Sequence, residues 1–509
     1  MAITIDESFK KIGEFRQYQW YILTLMGYCI LTVAAFNGMI VAFIAAEPDW
    51  KCVEGYKNNT VCRFNNSITL TSDDYKARCK MPREAWTFVD DFTSIVTEYD
   101  LVCGDSILLS FAQSSWWFGM LVGLLFAGSL SDKYGRRKII SAGFIISTTA
   151  AIVVVFPKNF VVFIVCRLIF GLGSGFINSS AFSLLTEFTT DKYHSWLGIG
   201  YFTFYALGLM ILPLIGFLAP AWRTFLLITA LFAAPVLLLV WLIPESPRWL
   251  LLNQKEKEAR NQLLKVAKMN KRTLPDDEFV KPVISKPQAS LKLLFSTRKV
   301  AKITLISWNL WFTHALVLYG VSYGSVDLGG NRYLNFFLLS LVAAPANFFC
   351  MWAVNRFGRK VCIIFGLIIT FLASAVLVSI PANKNPANIG GRVTAAIIAR
   401  FFIGFSFNGC YVWTSELYPT VIRATAMSTS SGSARVGSFA ASYIIWLIRI
   451  HVALPYSIFG AICIQAAILG LFLPETKGAA TKETMDDMRA HPENGMDLHV
   501  YTNNAIDQS

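Results

Sequence analysis

The chain has 509 residues, of which 55% are apolar and only 15% charged, with a mean hydropathy of +0.50. A water-soluble chain carries close to a quarter charged residues, so an ordinary soluble enzyme is excluded. The net charge of +13, from 45 basic and 32 acidic residues, marks the loops of a membrane protein rather than a nucleic-acid partner, because no basic stripe with interleaved aromatics is present.

Twelve apolar runs follow one another at 20–46, 107–130, 139–156, 160–182, 195–219, 224–243, 303–324, 333–354, 361–381, 393–415, 426–448 and 453–473. Most reach the roughly twenty residues that a helix needs to cross a bilayer. The first exceeds a signal-peptide core and follows a polar stretch with Glu14 and Arg16, so it reads as a retained anchor. An even number of spans puts both termini on one side, and Lys and Arg concentrate in the segments on that side, which predicts cytoplasmic termini.

Two long segments interrupt the runs. The first, 47–106, falls outside the cell and holds Cys52, Cys62, Cys79 and Cys103, with glycosylation sequons at Asn58 and Asn65. An oxidising compartment makes two disulfides the expected state, and the sequence leaves all three pairings open. A further sequon at Asn178 lies inside an apolar run and is expected to be unused. The second segment, 245–300, is a basic cytoplasmic linker whose stretch from Gln254 to Met269 predicts a surface helix under the membrane domain. The tail 475–509 is polar.

Sequence signals recur across that linker. Asp132 with Gly135-Arg136-Arg137 is echoed by Asn355 with Gly358-Arg359-Lys360. Arg167-x-x-x-Gly171 is echoed by Arg400-x-x-x-Gly404, Glu187 by Glu416, and Pro244-Glu245-Ser246 by Pro474-Glu475-Thr476. Four ordered echoes imply two related six-span halves, 1–244 and 301–474.

Gly128 to Arg137 matches in full the signature G-x-x-x-D-[RK]-x-G-R-[RK] of the major facilitator superfamily, which the chain therefore resembles. Glu98-Tyr-Asp100-Leu-Val-Cys103, Pro244-Glu-Ser-Pro-Arg-Trp249 and Glu416-Leu-Tyr-Pro-Thr-Val-Ile-Arg423 resemble, more narrowly, the organic cation, organic anion and carnitine transporter family (solute carrier family 22-like). The resemblance covers about residues 10–480 and implies an all-α integral membrane protein. Its twelve transmembrane helices would form two pseudo-symmetric halves, the major facilitator fold. It also implies a polyspecific plasma-membrane carrier of small organic ions, working by alternating access without a cofactor. Members commonly carry six loop cysteines, so four suggest a smaller disulfide framework.

Ionisable residues inside spans are costly and therefore functional candidates. Arg435, inside the eleventh run, has no counterpart in the first half and suits a carboxylate through two parallel hydrogen bonds. In the resembled family this span carries Arg in anion and carnitine carriers and Asp in cation carriers. The acid that cation and carnitine carriers place before the eighth-span proline is replaced here by Ala344, and Asn347 stands where anion carriers often have Lys. The charge pattern thus favours anions or zwitterions. The alternatives are an organic cation held on aromatic faces and a non-transporting sensor on the same fold.

Tyr201, Tyr205, Trp311, Tyr319, Tyr323 and Tyr411, with His314 and Asn37, complete the expected substrate site, although each also reads as ordinary helix core. Asp132, Arg136, Arg167, Glu187, Arg400 and Glu416 recur in both halves and are expected to form inner-face gating ion pairs. No Walker loop occurs, and the histidines at 194, 314, 451, 491 and 499 lack zinc spacing, so neither ATP nor a metal is expected. The expected partners are the small organic ion and the lipid bilayer, with no nucleic acid, and the working unit is expected to be a monomer.

Overall fold

The computed structural model of the chain describes residues 4–54, 62, 64, 67–70, 72–89, 92–275, 279, 291–383 and 385–478. Twelve long helical segments dominate it: α1 (Gln17–Ile44), α2 (Leu108–Tyr134), α3 (Arg136–Val153), α4 (Phe160–Thr186), α5 (Asp191–Leu218) and α6 (Trp222–Leu242), then α7 (Arg298–Gly324), α8 (Arg332–Phe357), α9 (Arg359–Ser379), α10 (Pro386–Leu417), α11 (Thr420–Trp446) and α12 (Ala453–Leu471). Nine of them are long and apolar enough to cross a membrane on length and composition alone. The other three owe their polarity to identifiable residues: α3 begins Arg136-Arg137-Lys138, α7 carries Asn309 and His314 in its middle, and α11 is rich in Ser, Thr and Gly around Arg435.

Helix ends follow capping chemistry rather than the edge of the apolar run. α10 starts seven residues before the predicted run because Asn385 accepts the Ala387 N–H and Pro386 occupies the first turn. α8 breaks at Val342, where Pro345 removes a donor from the next turn. α1 widens to π-type bonding over Ile30–Ala35, immediately before Asn37.

Small residues set the tightest packing. A Cβ at Gly119 or Gly123 of α2 would lie 2.2 or 2.3 Å from the Leu168 or Leu172 carbonyl of α4. Gly171 and Gly175 of α4 meet the Trp116 and Met120 carbonyls equally closely. These paired Gly-x-x-x-Gly faces bring two backbones into contact, the usual way helices associate without a hydrophobic driving force. α7 and α11 make the corresponding close pair after the linker, where Gly437 abuts the Phe312 carbonyl.

Contacts between the first six helices and the last six run mainly through α2 with α11 and α5 with α8. Among the described residues, the hydrogen bonds joining the two sets include Ser110–Ser442, Ser114–Tyr443, Ser106–Trp446, Glu47–Arg449, Trp117–Tyr323 and Asn178–Arg435. The first four cluster at the end that carries the cysteine-rich segment, called the disulfide end below. The opposite end, which carries the linker, is the linker end.

Two disulfides, Cys52–Cys62 and Cys79–Cys103, select one of the three pairings. They flank a two-stranded antiparallel ribbon of β1 (Trp50–Cys52) and β2 (Trp86–Phe88). The segment is docked onto the helices: Glu47 pairs with Arg78 and Arg449, and Tyr75 donates to the Glu47 carboxylate at 2.6 Å. Asn58 and Asn65 lie outside the described residues, as does the tail beyond 478.

The linker begins with Pro247–Leu252 and the amphipathic helix Glu256–Met269, which buries Ala259, Leu263, Val266 and Ala267. Asn270 at its end ties it to the N-terminal segment, accepting the Tyr18 N–H at 2.9 Å and donating to the Ile12 carbonyl at 3.1 Å.

Candidate functional site

Between the helix ends the spans contain no Asp or Glu; Asp132, Asp191 and Glu416 all sit in terminal turns. Four arginines do lie within them: Arg167 of α4, Arg392 and Arg400 of α10 and Arg435 of α11, of which Arg392 sits near the disulfide end and donates to the Leu328 backbone carbonyl at 3.2 Å. Arg435 Nη2 donates to Asn178 Oδ1 of α4 at 3.0 Å, its guanidinium reaches the Tyr411 hydroxyl, and its Nε is buried without a partner.

Tyrosines and tryptophans fill the space around the other three cations. The hydroxyls of Tyr205 and Tyr319 pair with each other, and Tyr319 lies within electrostatic reach of both Arg400 and Arg435. Trp117 stacks edge-on to Tyr319 at 4.4 Å and donates to the Tyr323 hydroxyl at 2.8 Å. Trp311 lies 4.2 Å from the Tyr411 ring and donates to Thr414 at 2.9 Å. Tyr205, Tyr319, Tyr323, Tyr411, Trp311 and Arg435 therefore form one connected layer drawn from α5, α7, α10 and α11.

Three expected members stand apart. His314 is fully buried with both ring nitrogens occupied, at 2.6 Å from the Leu310 carbonyl and 2.7 Å from Ser406 Oγ, so it joins α7 to α10 and leaves no nitrogen for a solute. Tyr201 is buried in the cluster that includes Met26 and Cys29 of α1, with its hydroxyl unpaired. Asn37 turns its amide back onto the Val33 carbonyl at 3.3 Å, while its own carbonyl accepts from Arg167 Nη1 at 2.9 Å.

The expected inner-face pairs need a correction. Arg167 lies twenty residues before Glu187 along α4, and Arg400 sixteen before Glu416 along α10, which at 1.5 Å per residue separates them by roughly 30 and 24 Å. Both arginines belong to the buried layer, not to the linker end. Glu187 instead pairs with Arg136 at 3.2 Å, and Arg136 also meets Asp132 at 3.0 Å. After the linker Glu416 pairs with Arg359 at 2.8 Å. Arg359 was not among the expected residues, although the repeat aligns Gly358-Arg359 with Gly135-Arg136 and so contained the signal.

The echoed Pro-Glu motifs complete this arrangement. Gly135 and Gly358 both have φ near +100°, and a Cβ there would lie 2.3 Å from Glu245 Oε2 or 2.6 Å from Glu475 Oε2. Only glycine tolerates both the backbone and the close carboxylate. Glu245 accepts the Arg137 and Ser246 N–H groups, and Glu475 those of Arg359, Lys360, Thr476 and Lys477. Each carboxylate thus caps the N-terminus of α3 or α9, where the helix dipole favours negative charge. Desolvation dominates at Glu245 and raises its pKa despite those bonds. At Glu475 desolvation also opposes ionisation, but four backbone donors outweigh it and the pKa falls.

A helical bundle with an aromatic, cationic centre and capped, ion-paired helix turns at one end has the build of a membrane carrier. The family model described as Sugar (and other) transporter matches residues 23–487. Solute carrier family 22 member 4 of Mus musculus is 32% identical over 95% of this chain and 94% of its own. Organic cation/carnitine transporter 2 of Rattus norvegicus is 31% identical over 95% and 93%, and solute carrier family 22 member 15 of Xenopus tropicalis 30% over 96% and 91%. Among solved structures, the xylose transporter XylE of E. coli, partially occluded and inward open, superposes with a TM-score of 0.65 at 16% identity, covering 91% of this chain and 99% of that one. The fold is that of the major facilitator superfamily. The chain belongs to the sugar (and other) transporter family and, within it, to solute carrier family 22.

Proposed function

We propose that the protein is a plasma-membrane secondary transporter that moves small organic anions or zwitterions by alternating access, as a uniporter or exchanger. The observation that carries this reading is the charge of the central layer: the buried guanidinium groups of Arg167 and Arg400 with the half-buried one of Arg435, and no carboxylate between the helix ends. An uncompensated buried charge is costly, so a solute that brings a carboxylate gains what the protein withholds. Arg435 takes the anionic group, and Tyr205, Tyr319, Tyr323, Tyr411 and Trp311 enclose the apolar remainder. A zwitterion places its cation on the aromatic faces. The second reading, an organic cation, is favoured by those same faces and by the name of the organic cation/carnitine relative. Uptake of labelled succinate, urate, carnitine and tetraethylammonium into cells expressing the full chain separates the two. Accumulation of tetraethylammonium alone sinks the anion reading.

The proposed orientation places the disulfide end outside the cell and both termini in the cytoplasm. Glycosidase is then expected to shrink the expressed protein, and Asn58→Gln with Asn65→Gln to abolish that shift. A double variant that still shifts overturns the orientation.

Asp132, Arg136, Glu187, Arg359 and Glu416 are proposed to latch the linker end between transport states. Asp132 is 75% exposed, so its pair with Arg136 is worth about 1 kcal/mol or less, whereas Glu187 is largely covered. Glu187→Gln is therefore expected to lower the maximal uptake rate severalfold with little change in KM, and Asp132→Asn to do the same more weakly. A change confined to KM would place these residues in solute binding instead.

A further inference from the structure

Arg435 and Asn178 belong to different halves of the bundle. Asn178 lies eight residues before the end of α4 and Arg435 fifteen after the start of α11, which puts both well inside the apolar layer, roughly 12 and 22 Å from the linker end. Their 3.0 Å bond is the one hydrogen bond between α4 and α11 among the described residues. An Asn inside an apolar helix is expensive unless it is bonded, and the half-buried Asn178 spends its carboxamide oxygen on a guanidinium rather than on its own helix.

That acceptor is neutral. A guanidinium presents five N–H donors in a planar fork, and of these Arg435 gives one to Asn178, reaches the Tyr411 hydroxyl, also neutral, and keeps its Nε buried without a partner. A carboxylate offers two charged oxygens to the same fork, and such charge-assisted pairs are about twice as strong as bonds to a neutral acceptor. No carboxylate of the protein lies between the helix ends to compete for the fork.

We infer that Asn178 is the resting counter-ligand of Arg435, displaced when a solute carboxylate arrives, and thus a specificity-determining residue for anions. The inference rests on the anion reading above and extends it to a residue whose sequence context marks it only as an unused sequon. The amide holds the guanidinium in place between transport events without neutralising it. Binding then exchanges a bond between the halves for a bond to solute, so occupancy of Arg435 and release of α4 from α11 are one event. An aspartate at 178 would act as a tethered anion, always present at high effective concentration, and would shut the solute out.

The test uses the full chain in cells, with surface biotinylation beside uptake of whichever of labelled succinate, urate or carnitine the wild type accumulates. Asn178→Ala removes the competitor and is expected to lower KM about three- to tenfold, the scale of one neutral hydrogen bond. Asn178→Asp is expected to reduce uptake at least fiftyfold at wild-type surface level. An unchanged or raised KM in Asn178→Ala overturns the inference, and that variant decides the matter alone where Asn178→Asp fails to reach the surface. Less than a threefold loss in a displayed Asn178→Asp overturns it too. Arg435→Ala run in parallel separates the two claims. If it abolishes anion uptake while the Asn178 variants match wild type, the anion reading stands and only the role of Asn178 falls; if it transports anions normally, the anion reading falls and this inference with it.

Discussion

Replacing Arg435 by Ala is expected to cost a carboxylate solute about 2 to 5 kcal/mol of binding, the range for breaking a desolvated charge pair. The guanidinium sits among Tyr411, Tyr319 and Asn178 with no acid of the protein to share it, so the solute loses its charged partner in the spanning layer at that point. Arg435→Lys is expected to recover only part of the loss, because an ammonium keeps the charge but not the planar fork. Arg435→Asp reverses the sign of the pocket and is expected to abolish anion uptake and admit a cation such as tetraethylammonium. Uptake kinetics with surface labelling read all three variants. A normally displayed Arg435→Ala with wild-type rate and KM for an anion removes the anion reading in favour of the aromatic cation pocket.

The second large effect is expected at the disulfide end. Glu47, just beyond α1, is 1% exposed and faces Arg78 of the disulfide segment, itself fully covered, and Arg449 beyond α11. Tyr75 donates to the same carboxylate, and the Arg78 guanidinium stacks over the Tyr75 and Trp86 rings at 4.5 and 5.1 Å. One carboxylate therefore touches two cations, Arg78 and Arg449, and fastens the segment to both sets of six helices. Glu47→Ala strands Arg78 and leaves Arg449 with Asp327 as its one carboxylate within electrostatic reach among the described residues, and is expected to destabilise the protein by about 3 to 5 kcal/mol, because removing one partner of a buried pair strands the other. Arg449→Ala, which spares the Glu47–Arg78 pair, is expected to cost less and to raise labelling of cysteines introduced at Ser110 or Ser442, the contact that closes this end. Detergent-solubilised melting curves with that labelling check both. A Glu47→Ala protein that melts with the wild type would show that the pair carries no net stability.

Much of the architecture was legible in the chain because the bilayer restricts the options. Every backbone polar group in hydrocarbon must be satisfied within its own segment, so an apolar run of sufficient length has to be a helix. The twelve runs therefore reappear as twelve helices with shifted ends, and the shifts trace to caps such as Asn385 that hydropathy does not register. The repeat pointed to Arg136 with Glu187 and to the glycine turns, because the same steric demand for a positive φ under a carboxylate recurs in both halves. It also contains Arg359 in the place of Arg136, a signal that the loss of the echoed acid at Asn355 obscures.

What the sequence by itself determined is the number, order and membrane-crossing character of the helices, the doubled plan and the excess of positive charge within the spans, since these follow from composition and period alone. Only the tertiary structure decided which charges meet. Arg167 and Glu187 lie on one helix and resemble a pair in sequence, but 1.5 Å of rise per residue holds them at opposite ends of α4. Asn178 and Arg435 are 257 residues apart and meet at 3.0 Å because α4 and α11 face each other across the bundle. His314 had the chemistry of a solute contact until Ser406 and Leu310 took both its nitrogens. The cysteine pairing was equally undetermined by spacing, because each disulfide depends on where the docked ribbon and its flanking turns place the two Cα atoms, 6.0 Å apart for Cys52–Cys62 and 5.6 Å for Cys79–Cys103. A side chain's type is local, whereas its partner is set by helix packing, and in this bundle the partner separates a structural joint from a group left open to solute.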